Sequence, residues 1–395
     1  MSTETLIHKL KKHSIKDIPR LFKANYDHYI RHDLPYYLYD KIPFGYAPAP
    51  RSINIKITNR CNLNCVMCGQ TATRHQKWQQ EELSADDWIH FLRSAAHFNP
   101  YISFWGGEPL MFDGIIDIFR EIHRLGLQTG IITNGLLLEK YAPDLASFDN
   151  LHIGISLDGP PEIHDEVRCR KGTFQKMEDG LNAVNHFRKK YGKQPKQLSV
   201  IFSTITPKNQ YHFPELIDTA RRFNPEEMCI SYLTFVTNEL IAGTNRITEE
   251  QLNTRFDSLE GFKADITQYD IPHIEKLTEM IRSNEFNVPF KLHFNPVLNP
   301  DEVKRYYFDM RFTMGRKTCF RPWFIAELLP NGQLNFCPDF PDYRFGDIRT
   351  TPFLKIWNGT EARAFRKLLK KFKLLPMCVR CCGLLTHQPR SVLRH

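Results

Sequence analysis

From Ile53 onward, short β-rich apolar runs alternate with segments of helical periodicity. The runs are Ile53 to Ile57, Tyr101 to Trp105, Gln128 to Ile132, Leu151 to Leu157, Leu198 to Ile205 and Cys229 to Phe235. Between them, Gly114 to Arg124, Phe174 to Tyr191 and Phe213 to Phe223 read as amphipathic helices, the last with a proline that a first turn tolerates. Strand and helix in regular succession predict an α/β fold with a parallel sheet and right-handed crossovers, open or curled; six units would make a partial barrel. Ahead of it, Leu6, Ile7, Leu10, Ile18, Leu21 and Phe22 fall at helical spacing, and Pro43, Pro48 and Pro50 punctuate the approach. Residues 1–50 are therefore expected to form a helical extension, 51–310 the barrel, and 311–395 a smaller C-terminal domain.

Polar residues gather where the predicted strands end: Thr58 to Cys68, Gly106-Gly107-Glu108, Thr133-Asn134-Gly135 and Asp158-Gly159. In parallel α/β folds the loops at that edge converge on one mouth, which makes it the expected active-site face.

Composition narrows the partners. The chain of 395 residues has a formal charge of +9, but its basic residues are scattered among 44 acids, which suits an anionic small molecule better than nucleic acid. No stretch approaches the ~18 apolar residues of a membrane span, and the N-terminus lacks an apolar signal core. A cytoplasmic protein is expected, and ten cysteines in a reducing compartment point to metal binding rather than disulfides. The lysine runs at Lys9 to Lys12 and Lys367 to Lys373 fit solvated helix faces. His75, His164 and His387 carry no motif that assigns them proton transfer.

Two cysteine sets carry the chemistry. Cys61, Cys65 and Cys68 lie within eight residues, and three thiolates leave one metal of a four-metal cluster open to substrate or cofactor. Far downstream, Cys319, Cys337, Cys378 and Cys381, with Gly332 placed as Gly-x4-Cys, combine two ligands from a predicted hairpin with a Cys-x2-Cys knuckle. By residue type alone this second set suits structural zinc as well as an iron–sulfur cluster.

The spacing Cys-x3-Cys-x2-Cys after a first strand, followed by Gly106-Gly107-Glu108-Pro109, resembles the radical S-adenosylmethionine (SAM) superfamily. The resemblance implies a partial (β/α)6 TIM-like barrel in which Cys61, Cys65 and Cys68 hold a [4Fe-4S] cluster and SAM fills the fourth iron's vacancy. It assigns the Gly106, Gly107 and Glu108 loop to the methionyl ammonium, Ser156 to the ribose or carboxylate side of SAM, and Arg168 to the carboxylate. The stretch Gly154 to Pro160 with His164, Asp165, Arg168 and Gly172-Thr-Phe174 resembles the peptide- and sugar-modifying branch. Met67 departs from the aromatic residue often found before the last cysteine. The runs Phe345-Gly-Asp-Ile348, Ile356-Trp-Asn-Gly359 and Pro376 to Cys381 resemble the SPASM or Twitch extension, a small β-hairpin and helix. There Cys319, Cys337, Cys378 and Cys381 would close one auxiliary [4Fe-4S] cluster, giving two clusters in all.

The implied activity is reductive cleavage of SAM to a 5′-deoxyadenosyl radical, hydrogen abstraction, and oxidative completion by dehydrogenation, hydroxylation or cross-linking. An electron donor such as flavodoxin or ferredoxin is implied. A small-molecule biosynthetic intermediate is expected as substrate, because the N-terminal 50 residues are short for a peptide-leader domain. Maturation of a ribosomal peptide, by cross-link or epimerisation, and modification of a tetrapyrrole are the alternatives; a non-enzymatic iron–sulfur or zinc module is the alternative of another class. Arg74 to Trp78 would line the cavity or form a solvated loop. Cys382 is a candidate hydrogen donor, whereas Cys169 and Cys229 are expected to be buried as small apolar side chains.

Overall fold

The computed structural model describes residues 42–72 and 81–381. The N-terminal helices and the Arg74 to Trp78 segment expected from sequence lie outside the described residues, as do Cys382 and His387.

Seven strands, β1 (Ser52–Thr58), β2 (Tyr101–Gly106), β3 (Thr129–Thr133), β4 (Leu151–Ser156), β5 (Val200–Thr204), β6 (Glu227–Ser231) and β7 (Lys291–Asn295), pair in parallel in chain order. They form an open, barrel-like sheet with helices between them. Ile53, Ile55 and Ile57 of β1 are fully buried in the main apolar cluster with Trp88, Phe91 and Phe119. Side chains alternate along a strand, so Asn54, Lys56 and Thr58 face the opposite, concave side.

Every one of the seven strands ends in a small or polar residue: Thr58, Gly106, Thr133, Ser156, Thr204, Ser231 and Asn295. The active-site edge is thus written into each strand's last position. Two sequence expectations change. β7 escapes the apolar pattern because it is an edge strand in which only Phe294 is fully enclosed. The sixth run is shifted: β6 ends at Ser231, and the apolar residues beyond it leave the sheet. Tyr232 stacks on Phe294 and Phe235 on Tyr307, which belongs to the helix Pro300–Phe308.

The C-terminal segment continues the same sheet. β8 (Ile325–Leu328) pairs in parallel with the free edge of β1, then β9 (Gln333–Asn335) and β10 (Phe345–Asp347) add antiparallel strands. Helices Phe353–Trp357 and Thr360–Phe372 follow.

Two buried arginines fasten this segment. Arg366 is fully enclosed, stacks on Trp357 and Phe336, and donates to the carbonyls of Pro322, Gly45 and Trp357. Arg380 donates to carbonyls of Tyr306, Asp309 and Phe312 at the end of helix Pro300–Phe308. Guanidinium supplies five donors in a fixed fork, so one side chain satisfies several carbonyls at a helix C-terminus. Sequence gave no sign of either role, because an arginine is ordinarily a surface residue.

Removing residues 319–395 would leave the β1 edge unpaired and open to pairing between molecules. The truncated protein is expected in the insoluble fraction by sedimentation; a soluble fragment with one cooperative unfolding transition would show that the barrel folds without the extension.

Candidate functional site

Thr58 ends β1, and the chain turns at once into the loop bearing Cys61, Cys65 and Cys68. Three sets of contacts fix that loop. The Thr58 hydroxyl donates to Glu82, which also pairs with Arg60 at 3.1 Å. The Val66 amide donates to the Val167 carbonyl at 3.0 Å, and the Asn134 side-chain amide donates to Asn62 Oδ1 at 2.8 Å. Within the loop, the Cys68 amide donates to the Cys65 carbonyl.

The glycine pair after β2 presses against this loop. The amides of Gly107 and Glu108 donate to the carbonyls of Thr58 and Arg60, both at 2.8 Å. A β-carbon on Gly106 would lie 2.3 Å from the Thr58 carbonyl oxygen, and one on Gly107 2.2 Å from that of Arg60. Gly106 also has φ +145°, outside the usual range of other residues. The glycines therefore serve close backbone approach, and the backbone they approach is that of the cysteine loop.

Glu108 is fully buried. Its carboxylate accepts from the Leu110 amide at 3.0 Å, the Thr133 hydroxyl at 2.7 Å and the Asn134 amide at 2.8 Å. Burial raises its pKa, opposed by these donors. The side chain thus ties the β2 and β3 loops together at the mouth. Ser156 is half-buried at the end of β4, and its hydroxyl has no hydrogen-bond partner among the described residues.

Arg168, which the resemblance assigns to the cofactor carboxylate, has partners within the protein. It is buried, forms an ion pair with the fully buried Asp158, and directs Nη1 to the Cys65 sulfur at 3.5 Å. Burial opposes its charge, but Asp158 and Cys65 outweigh that and raise its pKa. The neighbouring motif residues also position the loop. His164 is fully buried and accepts the Asp158 amide at Nδ1, so its ring is neutral; burial, then Arg168, holds its pKa well below the usual value. Asp165 accepts from the amides of Gly172 and Phe174 and so caps helix Thr173–Lys190.

Cys68, the exposed cysteine of the loop, borders an open pocket lined also by Met67, Thr206, Lys208, Lys263 and Tyr269. Burial raises the Cys61 thiol to about 11 and raises Cys65 despite Arg168.

The second set converges from distant parts of the chain. Cys319, Cys337, Cys378 and Cys381 line one pocket, walled by Phe336, Phe340, Phe365 and other apolar side chains. Cys319 is pushed up to about 12 by burial, and Cys337 and Cys378 are raised well above the thiol's ordinary value by the same cause. In this setting thiolates need a metal's positive charge. Among the described residues no three His, Cys, Asp or Glu side chains converge closely enough to hold one ion.

Phe262 lies against Gly69, just after the cysteine loop, and makes an edge-to-face contact of 5.0 Å with Phe340 in the second cavity wall. One aromatic pair thus spans the partition between the two sites. Sequence spacing did not reveal it, nor the buried Arg321–Glu327 pair near the second site, which also accepts from Asn54. Cys229 is buried as expected, but Cys169 is exposed. It sits at φ +55° just after helix Pro161–Val167, where the chain turns away from the core.

Comparison with known proteins agrees with this arrangement. A family model described as the radical SAM superfamily matches residues 55–220, and one described as an iron–sulfur cluster-binding domain, SPASM, matches residues 319–382. The chain is 24% identical over 340 residues to the Fe-coproporphyrin III synthase of Methanosarcina barkeri, covering 82% of this chain and 79% of that protein. It is 26% identical over 331 residues to the AdoMet-dependent heme synthase of Oleidesulfovibrio alaskensis, covering 81% and 78%. The fold is similar to Streptococcus suis SuiB bound to S-adenosylmethionine, with a TM-score of 0.60, 16% identity, and 94% of this chain and 85% of that one covered. No helix among the described residues is long and apolar enough to cross a membrane.

Two substitutions test the loop's supports. Gly107→Ala should destabilise the apo protein by about 1–3 kcal/mol in urea titration through its clash with Arg60, and should lower iron retained after reconstitution; unchanged stability would show that the loop can move aside. Arg168→Met leaves Asp158 buried and unpaired and should destabilise by about 3–5 kcal/mol. Adding Asp158→Asn should restore much of that loss. If the two losses simply add, the pair is not coupled.

Proposed function

The chain is an enzyme of the radical SAM superfamily with a SPASM cluster-binding domain, and from that premise we propose that it oxidatively modifies an anionic small molecule. In this proposal Cys61, Cys65 and Cys68 hold the SAM-binding [4Fe-4S] cluster, and Cys319, Cys337, Cys378 and Cys381 close a single auxiliary [4Fe-4S] cluster. The observation that carries it is the contrast between the two sites: three cysteines on a loop beside open space, four enclosing an apolar cavity. When bound, the open cluster and SAM supply one-electron carbon–sulfur cleavage and hydrogen-atom abstraction, and the closed cluster supplies a fully ligated centre suited to electron acceptance.

The protein's own residues do the positioning. Gly106 and Gly107 hold the cysteine loop against β2, Glu108 fixes the neighbouring loops, and Arg168 donates toward the Cys65 sulfur. Hydrogen bonds to a ligating sulfur and the dielectric around it tune a cluster's potential. The free Ser156 hydroxyl suits the cofactor's ribose or carboxylate. The apolar walls around the second site exclude water, and the Phe262–Phe340 pair keeps the two sites adjacent but separate. A flavodoxin or ferredoxin is the proposed class of electron donor.

Among anionic small molecules, a tetrapyrrole carboxylate takes first place, because two relatives matched over four-fifths of this chain are named for Fe-coproporphyrin III and heme synthesis. A peptide substrate is the competing outcome.

Anaerobic reconstitution should yield about eight irons per chain, and dithionite with SAM should release 5′-deoxyadenosine. Alanine at Cys61, Cys65 and Cys68 should abolish that release. Alanine at Cys378 and Cys381 should spare part of it while blocking turnover of an iron-porphyrin carboxylate, followed by mass spectrometry. Zinc content without SAM cleavage would overturn the enzyme reading; turnover of a precursor peptide but no porphyrin would overturn the small-molecule reading.

A further inference from the structure

Lys56 occupies the middle of β1 on the concave face and is only 3% exposed. Its neighbours on that face are partnered: Asn54 donates to Glu327 and Thr58 to Glu82. Lys56 makes no hydrogen bond or ion pair with any described residue. Its close contact is Trp105, opposite it in register, whose ring centroid lies 5.7 Å from Nζ. The indole Nε1–H of Trp105 is itself buried and without a partner among the described residues.

Two adjacent groups on one concave surface therefore lack a hydrogen-bond partner among the described residues, and both are donors. The complementary group is an acceptor, and beside an ammonium it is an anion. Burial lowers the Lys56 pKa to about 8, while Cys68 of the open-cluster loop and Asp339 beside Cys337 act to raise it. Along β1 Lys56 stands between Asn54, whose partner Glu327 pairs with Arg321 of the second pocket wall, and Thr58, which leads into the Cys61 to Cys68 loop. An enclosed lysine is ordinarily paired, and an unpaired one destabilises the fold that holds it.

We propose that Lys56, with the Trp105 indole, binds a carboxylate of the substrate between the two cluster sites. The cation anchors the acid, and the indole ring gives a planar group a surface to lie on. This inference rests on the reading of the substrate as an anionic small molecule, and it makes Lys56 a specificity residue.

Binding is measured by quenching of tryptophan emission in the anaerobically reconstituted enzyme with SAM present. The probes are a porphyrin tetracarboxylate, its tetramethyl ester, and the simple carboxylates citrate and succinate. Lys56→Met should weaken binding of the porphyrin acid at least about tenfold and leave that of the ester unchanged, while Lys56→Arg should keep most of the acid's affinity. The ligand-free apo form of Lys56→Met should melt at the same temperature as the wild type or a few degrees higher, because an unpaired buried charge has been removed.

If the wild type binds citrate or succinate but no porphyrin, and Lys56→Met loses that binding, the tetrapyrrole substrate is overturned and the Lys56 site stands. The Lys56 proposal is overturned if Lys56→Met binds the acids as the wild type does, if no carboxylate binds the wild type, if the loss falls on SAM affinity instead, or if the apo variant melts several degrees lower.

Discussion

β1 is hydrogen-bonded in parallel on both edges, by β2 on one side and β8 on the other, and the geometry of both cysteine sites depends on that. Its last residue launches the loop with Cys61, Cys65 and Cys68. The β8 edge carries in the segment with Cys319 just before it and Cys337 just after β9. A strand with two parallel neighbours cannot tilt or slip without breaking both ladders. Arg366 and Arg380 reinforce the same arrangement by binding carbonyls of the barrel and the extension together.

Within that frame the chemistry is governed by desolvation. Cys61 and Cys65 of the first set and Cys319, Cys337 and Cys378 of the second lie where burial favours the neutral thiol, so metal binding must release their protons. Polar groups at the first site are held by specific partners: Glu108 by three donors, Arg168 by Asp158 and Cys65. In low dielectric such contacts are stronger, and a missing partner is more destabilising, than in water. This is why Lys56 and Trp105, which lack hydrogen-bond partners among the described residues, differ in kind from the paired groups around them.

Much of this was legible in the chain. The alternation of apolar runs placed six strands and their polar C-terminal edge, because a sheet buried under helices leaves a strong periodic signal. β7 left little signal, since an edge strand with one enclosed side chain needs few apolar residues. The cysteine spacings identified both sets. The glycine pair stood out in the sequence as part of a motif, but the surface it approaches, the Thr58 to Arg60 backbone, could not be read from a turn-like Gly-Gly. Arg168 was expected at a cofactor carboxylate; its contacts with Asp158 and Cys65 join residues remote in sequence.

The sequence by itself determined the ligand types, the cysteine spacing within each local motif and the alternation that folds into a parallel sheet, because these depend on neighbours along the chain. Only the tertiary structure decided that Cys319 and Cys337 meet Cys378 and Cys381 around one apolar pocket, that Phe262 and Phe340 stand between the two sites, and that Lys56 lies buried with no ion pair among the described residues. Those facts turn on burial and on contacts between residues far apart in the chain, and desolvation acts on a charge only after the surrounding elements have packed around it.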